Sequence, residues 1–492
     1  MLALVIAFSS LNILPLIIFP SAASILLGVV AVFGLVRSGK FSEIFAGPRK
    51  YFIAFVVLNI IYAALIRVNV LDPHLYRHEF KYMISFGVFV GLSLLAYKKR
   101  TEIIVYYTLI GAAAFSFAWF VYSLIDRSFF NLYLYPYLGV IWERLGLEHI
   151  YLGPYQSHNS AGGFYAVLCL IFLGLLKTEK DSRRSTVVFV SLLMILLCFF
   201  FTDSRAYMLG LAIIASISLG TILYGTWKKR AGFQSALTRY SLGASIILLV
   251  SIGGAFRTHM YMIPMFVASG GSKSVAGGFG GGGGFFSFPD ENNKRFNNIK
   301  GLRRHSVAAR FFLWKKALED FYWSPIIGVG ASRFDSDKSV INSEPRITLH
   351  EVSPELLDLS KIKIIYIDGF LYRINVSKTN IHLEQETHNA YLQVLAEGGI
   401  LMFMIFAAMY YFLMKDLFRF SAIPREGFSD RLMGLAVGTR NALFCLFISS
   451  CFGSHLLGVI PLSAVLALSA YLISVLRQND SLNPFNELTP KT

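Results

Sequence analysis

Long apolar runs separated by short polar connections recur along most of this chain. The runs are continuous rather than alternating, and each is near the length of about 20 residues that an α-helix needs to cross a bilayer. Lipid cannot satisfy backbone hydrogen-bonding groups, so such runs predict membrane-spanning helices. Twelve spans are predicted, at roughly 2–18, 21–36, 51–67, 81–97, 103–125, 159–176, 185–201, 206–226, 240–256, 390–414, 436–456 and 458–476.

The composition agrees with this pattern. The chain has 492 residues, of which 55% are hydrophobic, and its mean hydropathy is +0.58. The predicted fold class is therefore an all-α polytopic membrane protein. The cysteines all fall within apolar runs, without the spacing of a metal site or a disulfide framework, and we expect them to be small buried hydrophobic residues. They are Cys169, Cys198, Cys445 and Cys451.

The basic charge predicts the orientation in the membrane. A net charge of +16 would suggest a nucleic-acid partner in a soluble protein. Here the lysines and arginines collect in short connections between spans, as the positive-inside rule expects, so no nucleic-acid partner is predicted. We expect these connections in the cytoplasm, with both termini inside. They are Arg37 to Lys50, Lys98 to Arg100, Lys177 to Arg184, Lys228 to Arg230 and Lys415 to Arg431.

This orientation divides the chain into four parts. Residues 1–256 hold spans one to nine, residues 257–389 form one large outer loop that contains helices, residues 390–476 hold the last three spans, and residues 477–492 form a cytoplasmic tail. The Tyr- and Leu-rich segment 126–156 also lies outside and predicts a helix in the membrane interface.

Arg205 is the first candidate site residue. The apolar stretch from Thr186 to Tyr224 is too long for one span, and the only polar place to break it is Thr202 to Arg205. Arg205 is therefore expected at the outer mouth of two helices. The alternative is an arginine that reaches lipid headgroups, neutralised by nearby Asp203.

The outer loop supplies the second candidate. It opens with the glycine-rich segment Gly270 to Gly284, which predicts a tether or a mobile cover and has no phosphate-binding motif. A strongly basic stretch without acids follows, from Lys294 to Lys316. Within it Arg310 begins a predicted amphipathic helix that ends at Ser324-Pro325. This surface can attract an anion, or it can be a solvated helix face that binds anionic lipid nonspecifically.

His388 is the third candidate, because it ends the loop where the next apolar run begins. An imidazole can accept a proton from a sugar hydroxyl near neutral pH, and Glu386 or Asn389 could orient it. His388 could instead cap the helix, and a zinc site lacks the spacing of known ligand sets. The pair His158-Asn159 repeats the pattern at another outer helix end, where it could also be a cap.

Taken together, these motifs resemble the O-antigen ligase and polymerase superfamily of bacterial envelope glycan enzymes. The resemblance covers roughly residues 157–414, and its motifs occur in the expected order. They are His158 to Ala161, Asp203 to Ala206, Arg310 to Leu318 with Pro325 to Gly330, and Thr387 to Gly399. Family members often have Ser-Ser-Arg-Gly where this chain has Asp203 to Ala206.

The resemblance implies a membrane-integral, inverting glycosyltransferase that needs no metal or other cofactor. Its donor would be a glycan on undecaprenyl pyrophosphate, and its active site would face the periplasm from the bacterial inner membrane. Arg205 and Arg310 would bind the pyrophosphate, and His388 would be the general base. Further support would come from Asn389, Glu386, His158 and Asn159.

The acceptor decides which enzyme of the family this is. We expect an O-antigen ligase that uses the lipid A core in lipopolysaccharide biosynthesis, because one large late loop holds both Arg310 and His388. A polysaccharide polymerase and a protein O-oligosaccharyltransferase remain alternatives within the family. A polysaccharide or lipid flippase is the alternative of another class, although no internal repeat or midplane charge supports it.

Overall fold

The computed structural model describes residues 45, 47–66, 89, 99–125, 133–134, 149–150, 158–202, 204–227, 234–260, 302–330, 364–367, 370–373, 387–422, 428–453, 456 and 460–481. Helices form its framework in these ranges. They are α1 (Arg49–Ile66), α2 (Lys99–Ile125), α3 (His158–Thr178), α4 (Ser182–Phe200), α5 (Arg205–Trp227), α6 (Gln234–Met260), α7 (Leu302–Trp323), α8 (Ala390–Ala422), α9 (Asp430–Ser450) and α10 (Ile460–Ser481).

Two short antiparallel strand pairs were not predicted. β1 (Tyr133–Leu134) pairs with β2 (His149–Ile150), and β3 (Ile364–Ile367) pairs with β4 (Phe370–Arg373). The first pair lies in segment 126–156, so the predicted interfacial helix is wrong at these positions. Pro136 and the Tyr-rich composition disfavour a continuous helix there.

Several of the predicted spans coincide with described apolar helices. Six helical stretches are long and apolar enough to cross a membrane: Thr101–Tyr122, Ala161–Thr178, Ser182–Phe200, Arg205–Tyr224, Ala390–Ser421 and Asp430–Ser450. Shorter apolar helices cover Arg239–Ala255 and Ala464–Leu476. The predicted spans 2–18 and 21–36, and 81–97 apart from residue 89, lie outside the described residues. The glycine-rich segment also lies outside them, and the total of twelve spans stays a prediction.

α3 is the centre of the bundle, because 89% of its apolar stretch is buried. α9 packs directly on it through glycines. Gly434 and Gly438 are four positions apart, and side chains at either would meet the backbone of α3 at Leu175 and Ile171. Small residues at this spacing allow two membrane helices to approach closely, where van der Waals contact is the main attraction.

Polar contacts join the helix ends on one side of the bundle. Thr178 at the end of α3 donates to the backbone oxygen of Asp430 at 2.6 Å, and Lys180 pairs with the Asp430 carboxylate at 3.3 Å. Arg431 lies 3.8 Å from Glu179. α9 begins at Asp430, earlier than the predicted span 436–456, because the Ser429 side chain caps it by accepting from the Leu432 amide at 3.1 Å.

Two further predictions are wrong, and one is confirmed. α7 begins at Leu302, so Arg310 lies inside the helix and does not start it. The predicted end before Ser324-Pro325 is confirmed, because the residue before proline disfavours helical geometry. Cys451 is exposed just beyond α9, although the other three cysteines are buried as expected.

α8 reverses direction inside the apolar run that was predicted as the single span 390–414. Gly399 has φ 62° and ψ −167°, which interrupts the helix. Residues fifteen positions apart in a straight helix would be about 22 Å apart, yet the ring centroids of Tyr391 and Phe406 are 6.4 Å apart. α8 therefore has a short first limb (390–398) folded against a second limb (400–422).

A glycine-to-alanine pair tests the α3–α9 contact. In Gly438→Ala, the new Cβ would lie 2.5 Å from the Ile171 Cα, so we expect a loss of about 1–3 kcal/mol of stability from overpacking. The measurement is the thermal unfolding midpoint of the purified protein. Gly220→Ala is the matched control, because no described atom lies within 4 Å of its added Cβ. Equal midpoints for both variants would contradict the proposed close packing.

Candidate functional site

Segments from α3, α5, α8 and α9 meet at the end of the bundle opposite to Thr178 and Asp430. The Ser204 hydroxyl donates to the Asn159 side-chain oxygen at 3.1 Å, which joins the start of α3 to the start of α5. Gly162, one turn into α3, leaves no room for a side chain beside Ser204. The starts of α3 and α5 are therefore in direct contact at this end of the bundle.

The chain between α4 and α5 turns tightly enough to place Arg205 at a helix start. Thr202 closes the end of α4 by donating to the Phe199 oxygen at 2.8 Å. The Ser204 oxygen then accepts from the Met208 amide at 3.0 Å, which begins α5. Arg205 is the first residue of α5, and its side chain is exposed. A helix start carries partial positive charge, so this end already favours an anion.

Arg310 lies close enough to Arg205 for their charges to interact. Burial, and then the positive charge of Arg205, lower the pKa of the Arg310 guanidinium below its ordinary value. Arg310 is half-buried on α7, whereas Arg205 is exposed on α5. The structure thus brings two arginines that are distant in sequence to one place, at a cost in mutual repulsion that a bound anion would remove.

α7 is attached to the start of α8 by a hydrogen bond and an apolar contact. Trp314, one helical turn after Arg310, donates its indole N–H to the Thr387 backbone oxygen at 3.0 Å. Leu313 and Ala317 pack against the first limb of α8 at Ala396 and Leu392. Arg310 and the residue before His388 are therefore held by the same helix.

His388 has an unusual backbone conformation. Its φ is 51°, and it is the one non-glycine residue with positive φ in the part of the chain that the structure describes. Its side chain is exposed, while Thr387 before it is fully buried. Such a conformation costs of order 1–3 kcal/mol, so neighbouring contacts must hold it.

Gln393 supplies contacts on the N-terminal side of His388. Its side-chain oxygen accepts from the Thr387 amide at 3.0 Å and from the Thr387 hydroxyl at 3.1 Å. Its own N–H group donates to the buried Glu397 carboxylate at 2.7 Å. With Trp314 on the Thr387 oxygen, both backbone polar groups of Thr387 are hydrogen-bonded to side chains.

Asn389 fixes the C-terminal side of His388 and caps α8. Its side-chain oxygen accepts from the amides of Tyr391 at 3.0 Å and Leu392 at 3.1 Å, as an N-cap does. Its side-chain N–H group donates to the Cys451 oxygen at 3.2 Å. Since Asn389 is the cap, His388 does not fill that role.

The turn after α7 is joined to the reversal in α8 by four backbone hydrogen bonds. Val329 and Gly330 donate to the oxygens of Ala396 and Glu397, each at 2.9 Å. Ile400 and Leu401 donate to the oxygens of Pro325 and Ile326 at 2.8 and 3.3 Å. Gly328 and Gly399 both have positive φ, and a side chain at either would meet the other segment's backbone.

The other predicted site residues have different outcomes. Glu386 and Asp203 lie outside the described residues. His158 begins α3, but only its backbone is described. Within the described ranges, no group of three or more His, Cys, Asp or Glu side chains could hold a metal ion.

Sequence reasoning missed Trp314, Gln393 and the buried Thr387 as contributors to the site. All three stood inside the predicted motifs, but their roles depend on contacts between α7 and α8. The only local signal was their spacing, because Trp314 is one turn from Arg310 and Gln393 is within two turns of His388.

Comparison with known families agrees with the motifs. The family model described as O-antigen ligase matches residues 189–407. The match contains Arg205, Arg310 and His388, whereas His158 and Asn159 precede it. No curated relative matches the chain significantly.

Gly399 tests the reversal of α8. We expect Gly399→Ala to lower the thermal unfolding midpoint well below that of the wild type, because the added Cβ is strained at positive φ and also meets the Ile326 backbone. Gly47→Ala is the matched control, since Gly47 has φ +60° but no described atom within 4 Å of its added Cβ. A midpoint for Gly399→Ala equal to that of Gly47→Ala would contradict the close contact.

Proposed function

We propose, from the match of residues 189–407 to the O-antigen ligase family model, that this chain transfers a glycan from undecaprenyl pyrophosphate to an acceptor hydroxyl at the periplasmic face of the bacterial inner membrane. The acceptor we favour is the lipid A core, which would make the chain an O-antigen ligase. The observation that carries the proposal is that Arg205 and Arg310 repel each other electrostatically, while Trp314, one turn from Arg310, is hydrogen-bonded to Thr387 beside His388.

The arginine pair suits a pyrophosphate leaving group. Two guanidinium groups that repel each other gain most from a ligand with several negative charges, and arginine binds phosphate oxygens through two parallel hydrogen bonds. One arginine lies at a helix start, and the other is half-buried. In this mechanism both side chains neutralise the charge that develops as the bond to pyrophosphate breaks.

His388 would act on the acceptor. Its imidazole accepts the proton of the acceptor hydroxyl while that oxygen attacks the anomeric carbon of the glycan. The bond between the anomeric carbon and the pyrophosphate oxygen breaks on the opposite face, so the configuration inverts and undecaprenyl pyrophosphate leaves. The strained, exposed placement between Thr387 and Asn389 supports a role for His388 outside helix capping.

The basic connections support the proposed orientation. Lys177 to Arg184 lies at the opposite end of α3 from Asn159, with which Ser204 and hence Arg205 are associated. If this basic connection is cytoplasmic, the arginines face the periplasm. The same orientation makes residues 257–389 a periplasmic loop and residues 477–492 a cytoplasmic tail.

An in vitro transfer assay tests the proposal. Purified protein would receive undecaprenyl-pyrophosphate glycan as donor, with lipid A core and a second donor molecule as competing acceptors. We expect modified lipid A core, undiminished by a chelator. Arg205→Ala, Arg310→Ala and His388→Ala should each lower the rate about 100-fold or more, which is typical of a lost charge stabiliser or general base.

Arg239→Ala is the matched control for the arginine variants. Arg239 donates to the Ser182 oxygen at 2.8 Å, at the end of the bundle away from the candidate site, so its loss should leave the rate near that of the wild type. Retained activity in Arg310→Ala and His388→Ala would contradict the site. A ladder of lengthening lipid-linked glycan would identify a polymerase, and transfer to neither acceptor would favour a protein acceptor or transport.

Trp314 should act as a positioning residue in this reaction. Trp314→Phe keeps an aromatic ring but leaves the buried Thr387 oxygen without its indole donor. A lost buried hydrogen bond costs about 1–3 kcal/mol, so we expect kcat to fall by roughly tenfold or more. The KM for the donor should change little, because Arg205 and Arg310 remain.

The kinetic comparison uses Trp227→Phe as its control, since Trp227 is the last residue of α5, at the opposite end of that helix from Arg205. The two tryptophan variants and the wild type would be assayed for kcat and KM under the same conditions. If Trp314→Phe keeps the wild-type kcat while His388→Ala is inactive, Trp314 has no positioning role although the site stands.

A further inference from the structure

The end of α7 carries an apolar surface that the proposed reaction does not use. Tyr322, Trp323, Ile326 and Ile327 are 80%, 65%, 66% and 49% exposed. α7 is not among the helices apolar enough to cross a membrane. Large apolar side chains clustered in this way on a segment outside the candidate spans mark a contact with a membrane or another protein.

This surface continues onto a membrane-spanning helix. The Pro325 and Ile326 oxygens accept hydrogen bonds from Ile400 and Leu401 at 2.8 and 3.3 Å, so the two segments are directly adjacent. Ile400, Leu401 and Met404 are 43%, 43% and 60% exposed at the start of the second limb of α8. The exposed apolar side chains of a membrane-spanning helix contact lipid acyl chains. The apolar surface on α7 continues this lipid-facing side of α8.

The exposed side of α7 changes from charged to apolar toward its C-terminal end. Lys315 and Glu319 form an exposed ion pair at 3.7 Å. Leu318 and Tyr322 follow one turn apart, both exposed, and Trp323 ends the helix. Tyrosine and tryptophan are enriched where a protein passes from water into the bilayer, because their rings are amphipathic.

We propose that residues 322–327, hereafter the membrane-contact surface, insert among the phospholipid acyl chains on the side of the bilayer where the candidate site lies. The insertion anchors α7 at one end. Arg310 is about 20 Å from that anchor along the helix, so bilayer contact fixes the position of the arginine relative to the membrane. The proposal is independent of which glycan, if any, the protein transfers.

Spin-label accessibility tests this placement in the full chain in phospholipid nanodiscs. A nitroxide would be attached to Ile326→Cys after Cys451→Ser has removed the exposed native cysteine. Collision with oxygen, which concentrates in lipid, is compared with collision with a water-soluble nickel chelate. Met404→Cys gives the lipid reference, and Lys315→Cys gives the aqueous reference on the same helix.

We expect the label at Ile326 to match Met404, with oxygen collisions exceeding those with nickel. A label that matches Lys315 would overturn the proposal. Poor access to both reagents, with dipolar broadening between labels, would also overturn it, because a second copy of the chain would then cover this surface.

Fluorescence gives a second measurement without a cysteine in the membrane-contact surface. Brominated phospholipid acyl chains should quench part of the tryptophan emission of the otherwise unmodified protein, and Trp323→Phe should lose that quenched part. If the quenched emission is the same in both proteins, Trp323 is not in contact with acyl chains and the proposal fails.

Discussion

The geometry of the candidate site depends on the contact between two glycine turns. Gly328 and Gly399 each adopt positive φ, and each leaves room for the backbone of the other segment. The contact lets α7 and α8 satisfy four backbone hydrogen bonds between them. Unsatisfied backbone groups near a membrane are costly, so this arrangement allows the chain to reverse at Gly399 without an energetic penalty of several unpaired groups.

The reversal of α8 at Gly399 determines which segments are adjacent at the end of the bundle that holds Asn159 and Ser204. Because the first limb of α8 folds back, Thr387 reaches Trp314, and Asn389 reaches the end of α9 at Cys451. The close packing of α9 on α3 in turn sets the position of that end relative to Asn159 and Ser204. Close helix packing inside the bundle and hydrogen bonds at its end thus fix the positions of the same few residues.

Some helix boundaries could be predicted from the sequence, because the residues that determine them are neighbours in the chain. Hydropathy found the break between α4 and α5, and Ser324-Pro325 marked the end of α7. The start of α9 lies earlier than the apolar run, because Ser429 caps the helix and Asp430 is favourable in its first turn, although neither residue is apolar. The reversal of α8 was missed because the conformation of Gly399 depends on its contact with Ile326, which is distant in sequence.

The site was harder to predict than the spans. The candidate residues were found from their motifs, and the family resemblance implied one shared ligand for Arg205 and Arg310, but nothing in the sequence joined Trp314 to Thr387. That contact arises between segments separated by a long stretch of chain, where spacing carries no information. Asn389, by contrast, has the sequence position of a cap, and the structure shows it acting as one.

The attachment of both ends of one long connection has a consequence for how such a protein can evolve. Gly330 is held by Glu397, and Thr387 is held by Trp314 and Gln393. The residues between Gly330 and Thr387 therefore begin and end at fixed points, and lengthening a connection with fixed ends costs little in closure entropy. Insertions there can therefore be accommodated while Gly330 and Thr387 keep their positions.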